Sequence, residues 1–415
     1  MRGFVPIAVE LLTVVVLLCL IARRWHKGRL AIAAAIGLAT GAGAYWFYGT
    51  LGLASEPAPG QMWIWVSLSG FSGAVLIASW GNAGWRWRNA SVFATSFCLL
   101  SVGLTINSWL GYFPTVYSAW GQLTDAPLPH QSDWRTVNDL RAKGIAPQHG
   151  IVVMTDTGSD ASGFRHRAEW VYLPPAWFTP KPPMRLPAVL MIGGEFNTPP
   201  DWIRAGEAVN TLDEFAAAHG GNAPVTVFAD ATGGFAIDTE CVNGPRGNAA
   251  DHLTADVIPK ISAVSGSQQP LQWGVVGFSS GGTCAVDLAV MHPDMFRAFV
   301  DIGGDAAPNA GTRAQTVDRL FGGNAAAWSS FDPSTVIRRH GHYHNLSGLF
   351  AVPGPVGRAA AESLCKLGES HGIDCQLVPL PGRHDWPSAA SAFAVTLPWL
   401  ASRLHTPGVP TTAVP

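Results

Sequence analysis

Charged residues are scarce in this 415-residue chain, and the few present nearly balance. They make up 13% of the residues, against 48% for hydrophobic ones, and the formal net charge is −2. Such a chain has no basic surface of the kind that nucleic acids need, so no nucleic-acid partner is expected. A charged fraction this far below that of ordinary soluble proteins also predicts that part of the chain lies in a membrane.

Cysteine is scarce too, and none of the six cysteines has a spacing typical of a metal site. The four that follow residue 115 allow three disulfide pairings, of which one joins Cys365 to Cys375 across a predicted helix-to-strand connection. The run "HGHYH" at 340–344 is predicted to be a surface loop, because a metal site needs further ligands in a fixed geometry. We therefore expect neither a metal nor a cofactor.

Apolar stretches long enough to cross a ~30 Å hydrocarbon layer as helices fill the amino end. They lie at residues 5–22, 30–48, 62–80 and 90–113. A cleaved signal peptide is the alternative for the first stretch, but its amino flank carries only Arg2 and three similar stretches follow. Residues 1–115 are therefore predicted to form a transmembrane region of four helices.

The basic residues of the connecting loops predict how this region is oriented. The first and third loops carry arginine and lysine, whereas the second, "GTLGLASEPAPGQ", has neither; the basic residues are Arg23, Arg24, Lys27, Arg29, Arg86 and Arg88. Basic loops stay in the cytoplasm, so both termini and the whole chain after residue 115 are predicted to lie outside. A transporter is disfavoured, since Glu10 is the only carboxylate in the spans.

Beyond the apolar region, strands and helices are predicted to alternate. Residues 116–149 are polar and rich in proline, typical of a linker with one short helix. Eight short apolar strands, separated by five amphipathic helices, are predicted in residues 150–405. Such a pattern favours an α/β fold, a mostly parallel sheet with helices on both faces. Residues 406–415 are predicted to be a disordered tail.

The strongest motif is Gly277-Phe278-Ser279-Ser280-Gly281, which has the form G-x-S-x-G. It follows the apolar strand "QWGVV" and precedes the apolar helix "TCAVDLAVMH". A strand, a sharp turn and a helix are what a nucleophilic serine needs, and the glycines let neighbouring chain pass close to it. At the start of this helix the N–H of Ser280 is predicted to stabilise an oxyanion.

A second oxyanion donor and a base are expected from other loops. "AVLMIGGEFNTPP" ends a predicted strand at Ile192, so the N–H groups around Gly194 and Glu195 are candidates for the donor. His384 follows the last predicted strand and is the expected base, because a serine hydroxyl needs a partner that accepts its proton. His252, His292 and His371 lie in or at the ends of predicted helices and are less well placed.

Residues 166–404 resemble the esterase D and antigen 85 group of α/β-hydrolases, which includes mycolyltransferases of actinobacterial cell envelopes. The resemblance rests on "VYLPPAWF", on "GFSSGG" followed by "MHPDMFRAFVDIGGD", and on "PGRHDW". It implies an α/β-hydrolase fold with Ser279 as nucleophile, His384 as base, and Ser280 and Glu195 as oxyanion donors. The four apolar stretches lie outside it.

The acid of the triad is where the sequence departs from this group. Relatives carry it after the strand that corresponds to "SGLFAV", where this chain reads "PGPVGR" without an acid. Glu362, in the helix that follows, is the nearest carboxylate in the expected place, and Asp305 and Asp332 are rivals from neighbouring loops. An acid has only to orient the imidazole, so more than one loop can supply it.

These residues predict acyl transfer through a covalent ester of Ser279, resolved by water or by an acceptor alcohol. A membrane anchor favours an envelope or lipid ester, such as a cell-envelope glycolipid, as substrate. The alternatives are transfer to a sugar hydroxyl, as in mycolyltransferases, and an inactive hydrolase fold used for binding. The segment around Glu240 and Asp251 is expected to border the site.

Overall fold

A computed structural model describes residues 3–22, 27–50, 58–81, 84–179, 186–234, 237–265 and 273–410. The chain divides into two compact units, Met1–Thr124 and Asp125–Pro415. The segment predicted as a linker carries more structure than the one short helix expected. It contains two helices and a short strand because Thr115 and Asp133 each accept a backbone N–H and so cap a helix.

The first unit is helical, and four of its helices are long and apolar enough to cross a membrane. In order along the chain, its helices are α1 Phe4–Ile21, α2 Lys27–Thr50, α3 Gly60–Ser79, α4 Trp85–Leu110 and α5 Val116–Leu123. Helix α3 packs between α2 and α4, and α1 packs on α4. The four predicted spans are therefore present as helices, and the basic residues at 23–26 lie outside the described residues.

Small and hydroxylated residues fill the contacts between these helices. A Cβ on Gly37 of α2 would lie 2.7 Å from the Ser67 carbonyl oxygen of α3, so glycine allows the two backbones to approach. Thr13 of α1 and Ser101 of α4 are buried, and their hydroxyl oxygens lie 3.1 Å apart. Large apolar side chains such as Leu17 and Leu20 are buried beside them, while many others point outward, as Leu11 does with 63% of its surface exposed.

The second unit is built on a nine-stranded sheet with the order β1-β2-β3-β5-β4-β8-β9-β10-β11. Its strands are β1 Gln131–Ser132, β2 Ile151–Thr155, β3 Glu169–Leu173, β4 Ala188–Ile192, β5 Val225–Ala229, β8 Trp273–Phe278, β9 Phe296–Ile302, β10 Ser347–Pro353 and β11 Asp374–Leu380, while β6 Asn243–Gly244 and β7 Gly247–Asn248 form a separate hairpin. Within the nine-stranded sheet, strand β3 runs antiparallel to β2 and β5, and all other neighbouring strands are parallel.

Helices cover the sheet on both faces. They are α6 Trp134–Lys143, α7 Asp201–Arg204, α8 Ala208–Ala218, α9 Ala249–Asp251, α10 Ile258–Ser265, α11 Ser280–Met291, α12 Arg313–Phe321, α13 Ala325–Phe331, α14 Pro333–His340, α15 Arg358–Ser370 and α16 Trp386–Arg403, with a 3-10 turn at Pro175–Phe178 and a π-helical turn at His252–Val257. The eight predicted strands and five predicted helices are all present. This is the α/β-hydrolase fold, with the predicted mostly parallel sheet.

Three short helices, α12 to α14, were not predicted from the sequence. Each begins at a polar cap whose side chain accepts a backbone N–H of the first turn, namely Thr312, Asn324 and Asp332. Such local capping stabilises helices too short to give a clear apolar period. The "HGHYH" run begins with His340, the last residue of α14, and continues as a loop with His342 and His344 exposed, in agreement with the predicted surface loop.

Two disulfides tie helices of the second unit to other segments. Cys365 of α15 and Cys375 of β11 are joined with their Cα atoms 5.4 Å apart, which is one of the three pairings that the sequence left open. Cys241 and Cys284 are joined at 5.6 Å, which fixes the loop before β6 to α11. At the carboxyl end Thr406 is buried against α16, and residues 411–415 of the predicted tail lie outside the described residues.

Candidate active site

Ser279 occupies a sharp turn between a fully buried strand and a helix. All six residues of β8 are buried, and α11 begins directly after the serine. The backbone of Ser279 has φ +59° and ψ −127°, a conformation that costs a residue with a side chain about 1–3 kcal/mol. Its N–H donates to the Ile302 carbonyl of β9 at 3.0 Å, which anchors the turn to the neighbouring strand.

The glycines of the motif are required by close packing at this turn. A Cβ on Gly277 would collide with the backbone of Gly281, and one on Gly281 would collide with the Ile192 carbonyl at the end of β4. The turn therefore lies against the β4 strand end and the loop that follows it. This packing is the physical reason for glycine two residues before and two residues after the serine.

The loop after β4 brings backbone N–H groups to the serine. A Cβ on Gly194 would lie 2.9 Å from the Ser279 Cβ, so this loop passes directly over the nucleophile candidate. The Gly194 N–H donates to Oδ1 of Asn197 at 2.7 Å. Within the described part of the chain the Glu195 N–H makes no such bond, which leaves it as the donor that can meet an oxyanion together with Ser280.

His384 lies beside the turn, between β11 and α16. Its imidazole stacks on the Phe278 ring with centroids 4.8 Å apart, one residue before Ser279. Gly303, after β9, makes room for it, because a Cβ there would lie 3.0 Å from Nδ1 of His384. Burial lowers the pKa of His384 to about 4, and the charge of Asp385 opposes that shift only in part. The imidazole is therefore neutral at pH 7, as a base has to be.

The carboxylates expected to complete a triad lie elsewhere. Glu362 is exposed on α15 and forms no hydrogen bond or ion pair with any described residue. Asp305 is exposed and accepts from Nδ2 of Asn309 at 3.1 Å, while Asp332 caps α14. The structure thus brings Ser279 and His384 into one site but forms no hydrogen bond from His384 to any of the three.

Asp385 is the carboxylate whose charge acts on His384. Its Oδ1 caps α16 by accepting from the Ser388 N–H at 3.0 Å and from the Ser388 hydroxyl at 2.7 Å. The sequence "RHDWPS" indicates this cap, because an aspartate stands directly before a helix that starts with Trp-Pro. Asp301, at the end of β9, is also buried, and burial raises its pKa to about 7.

A group of buried acidic side chains adjoins the loop after β4. Burial, with repulsion from Asp238, raises the pKa of Glu195 to about 8, against the opposing charge of Arg246. Burial likewise raises the pKa of Glu240 well above its usual range, helped by Asp238, Asp305 and Glu195. Glu240 and Cys241 have positive φ, and the Cys241–Cys284 disulfide ties them to α11. Glu240 thus lies where the sequence placed it, whereas the burial of this group was not foreseen.

Arg167 holds the loop after β4 in place through hydrogen bonds. Its guanidinium donates to the Asn197 carbonyl at 2.8 Å and to Oδ1 of Asp230 at 2.6 Å, and its backbone N–H donates to the other oxygen of Asp230 at 2.7 Å. These contacts hold the pKa of the buried Asp230 carboxyl below its usual value despite the cost of burial. The network fixes Asn197, which in turn holds Gly194.

Comparisons with known proteins agree with this geometry. Residues 165–340 match the family described as "Putative esterase". An uncharacterized protein of Corynebacterium glutamicum is 29% identical over 332 residues, which cover 77% of each chain. That share exceeds the Asp125–Pro415 unit, so the similarity extends into the helical unit.

Solved structures of esterases are similar to the second unit. A ferulic acid esterase is 19% identical with a TM-score of 0.48, over 61% of this chain and 98% of its own. The S-formylglutathione hydrolase of Agrobacterium tumefaciens is 17% identical with a TM-score of 0.49, over 62% and 97%. The serine turn, the neutral histidine and the match of residues 165–340 to an esterase family together support a serine ester hydrolase, and the second unit has the α/β-hydrolase fold.

Proposed function

We propose that the chain is a membrane-anchored serine esterase or acyltransferase that acts outside the cytoplasm on an envelope or lipid ester. Ser279 is the nucleophile, His384 the base, and the N–H groups of Ser280 and Glu195 the oxyanion donors. The observation that carries this proposal is the strained Ser279 backbone, φ +59°, directly beneath the Gly194 loop. Strain of this kind persists where the surrounding structure enforces it, which is typical of active sites.

The reaction follows from these positions. Ser279 Oγ attacks the ester carbonyl carbon while His384 takes the hydroxyl proton, and the two N–H groups stabilise the resulting oxyanion. The bond to the leaving alcohol then breaks, His384 returns the proton to that oxygen, and the acyl group remains on Ser279. In the second half His384 deprotonates water or an acceptor alcohol, which attacks the acyl carbonyl and releases Ser279.

The acid that orients His384 is a separate part of the proposal. Glu362 was predicted for this role, but its exposure and its lack of contacts favour Asp385, whose charge acts on the imidazole. A carboxylate next to the base stabilises the imidazolium that forms in the transition state. Asp385 is held by its bonds to Ser388, so its position is fixed before substrate binds.

The location outside the cytoplasm rests on two observations. The basic loop residues, of which Arg86 and Arg88 are described in α4, favour a cytoplasmic position for the first and third loops. The two disulfides of the second unit favour an oxidising compartment, since cytoplasmic thiols are kept reduced. Both support a second unit held at the outer surface of the membrane, beside lipid and envelope esters.

Transfer to a sugar hydroxyl is the second candidate, and the buried acids favour it. The pKa of Glu195 is raised to about 8, so its carboxyl is largely protonated at pH 7, and burial also raises the pKa of the neighbouring Glu240. A neutral carboxyl donates as well as accepts hydrogen bonds, which suits a neutral hydroxylated acceptor and disfavours a phosphate.

Turnover of nitrophenyl butyrate and octanoate by the full-length protein in detergent tests the proposal. Ser279→Ala is expected to lose activity about 10⁴-fold or more. The matched control is Ser280→Ala, which keeps the backbone N–H and is expected to stay active. Equal activity of Ser279→Ala and parent would refute Ser279 as nucleophile, and an inert parent would favour the binding fold. A disaccharide added to the reaction separates transferase from hydrolase by the appearance of an acylated sugar.

A further inference from the structure

A second cluster of reactive side chains lies at the start of β3. His166 precedes the strand, Glu169 is its first residue, and His252 opens the π-helical turn 83 residues further on. Their side chains are 9%, 0% and 0% exposed. Nδ1 of His166 lies 2.9 Å from Oε1 of Glu169, and Nε2 of His252 lies 3.1 Å from the same oxygen.

These three atoms have the arrangement of a metal-binding face. All three lie within 4.8 Å of one another. Ligand atoms around a tetrahedral zinc ion, with bonds of about 2.0–2.1 Å, are roughly 3.3 Å apart. The two histidine nitrogens lie at similar distances, 2.9 Å and 3.1 Å, from Oε1 of Glu169. Two imidazole nitrogens and one carboxylate oxygen are a donor set typical of zinc.

The outer partners of a metal site are also in place. Nδ1 of His252 faces Oδ2 of Asp256 at 3.4 Å, the carboxylate–histidine pairing that orients a metal-binding imidazole. Asp256 is itself held by the N–H groups of Ala161, at 2.9 Å, and Ser162, at 3.3 Å. The second oxygen of Glu169 accepts from the Thr157 hydroxyl at 2.8 Å, which leaves Oε1 directed at both histidines.

We propose that His166, Glu169 and His252 bind a divalent metal ion of the zinc class. The carbonyl oxygen of Arg167 also lies 2.9 Å from Nδ1 of His166. The sequence gives no regular spacing for these ligands, because a strand and a distant helical turn bring them together.

The ion has a structural role. Among the described residues none of the three ligands contacts Ser279 or His384. His166 is, however, followed by Arg167, which holds Asp230 and the Asn197 carbonyl, and Asn197 holds the Gly194 loop over Ser279. The ion thus holds the segment that contains Arg167, and the contacts of Arg167 hold the Gly194 loop in place.

A second group, on the surface, serves as an internal control. His130, His149 and Asp213 also lie within 4.8 Å, but the two histidine side chains are 39% and 59% exposed. Oδ1 of Asp213 already accepts from the Gly150 N–H at 2.7 Å and from the Tyr172 hydroxyl at 2.8 Å. Among the described residues no second carboxylate forms a hydrogen bond or ion pair with either imidazole of this group, so it is expected to bind metal weakly.

Metal analysis of the full-length protein, purified through a tag without histidine, tests the proposal. After incubation with zinc and removal of free ion, the parent and His149→Ala are expected to hold about one zinc per chain, and His252→Gln and His166→Gln less than about a tenth. Asp256→Asn, which keeps all three ligands, is expected to bind zinc roughly 10–100-fold more weakly.

Thermal unfolding supplies an independent readout that does not depend on esterase activity. A strong chelator is expected to lower the parent Tm by about 5 °C, with recovery on adding zinc, and to leave His166→Gln unchanged. Should His252→Gln fail to fold, His166→Gln, at a side chain that is 9% exposed, and Asp256→Asn still decide the matter. A parent without zinc and insensitive to the chelator, or loss of zinc in His149→Ala, would overturn the assignment.

Discussion

The two units of this chain place polar and apolar side chains in opposite ways. In the described part of the helical unit the buried polar residues are hydroxyls and one amide, with no charged side chain, and apolar residues such as Leu11 face outward. The hydrolase unit buries its apolar strands and, among them, carboxylates and imidazoles such as Glu169, Glu240 and His252. Exposed leucine is therefore consistent with helices long and apolar enough to cross a membrane in one unit, whereas buried ionisable groups are typical of a reactive site in the other.

The largest expected effect is the loss of catalytic rate when the imidazole of His384 is removed. His384→Ala should lower kcat about 10⁴-fold, because the serine hydroxyl loses the group that takes its proton. The rate of ester turnover by the full-length protein measures this loss. The control is His371→Ala, which removes a partly buried histidine at the end of α15. If His384→Ala stays within tenfold of the parent, the base is another residue.

Breaking the disulfide beside the site should cost the most stability. By loop-closure entropy the Cys241–Cys284 bond, with a separation of 43 residues, contributes about 4 kcal/mol, and Cys365–Cys375, with a separation of 10, about 2.7 kcal/mol. The free energy of unfolding in denaturant, measured for the double variants Cys241→Ser/Cys284→Ser and Cys365→Ser/Cys375→Ser, compares the contributions of the two disulfides. Equal losses would contradict the entropic ranking.

Matched substitutions at equally exposed apolar residues sharpen the contrast between the units. Leu11→Lys in α1 should raise the free energy of membrane insertion by about 3 kcal/mol, because Leu11 is exposed on a helix long and apolar enough to cross a membrane. Met154→Lys in β2, at 56% exposure against 63% for Leu11, should change unfolding free energy by less than about 0.5 kcal/mol. Normal membrane integration of Leu11→Lys would argue against a lipid-facing α1.

The choice of acid predicts a smaller effect and a pH signature. Because the pKa of His384 is about 4, activity should stay level from pH 8 to about 5 and fall as the imidazole is protonated near pH 4. Asp385→Asn removes the charge that raises this pKa, so the acid limb should move lower still, with kcat reduced roughly tenfold. Glu362→Gln should match the parent. A large loss in Glu362→Gln alone would restore Glu362 as the acid.

The smallest effect is expected from the buried hydroxyls of the helical unit. Thr13→Val removes the contact with Ser101 that joins α1 to α4 and should cost about 0.6 kcal/mol, since such bonds in membranes are weak. Unfolding in detergent, with Ser101→Ala and the double variant, measures the coupling. A loss above about 2 kcal/mol would mean that hydroxyl contacts, not close packing, hold these helices together.

Local patterns were enough to predict the strands and the residues adjoining them. Ser279, Glu195 and His384 each follow directly on a predicted strand or its loop, and parallel strands bring their carboxyl ends to one edge. Helices α12 to α14 escaped prediction because side-chain caps, not an apolar period, define them.

Residues that meet only through tertiary contacts could not be predicted. The charge of Asp385 acts on His384 from the cap of α16, whereas the resemblance to known hydrolases placed the acid in a different loop. His166, Glu169 and His252 come from a strand and a π-helical turn with no common spacing. Their burial depends on how distant segments pack, which no single stretch of sequence encodes.

Labelling with a fluorophosphonate in native membranes tests the central claim most directly. The probe reacts with a serine only when a neutral base and an oxyanion site activate it. The expected result is one adduct per chain on the peptide that contains Ser279, absent in Ser279→Ala and retained in Ser280→Ala. A parent that stays unlabelled, or a label on another serine, would contradict the assignment of Ser279 as the nucleophile.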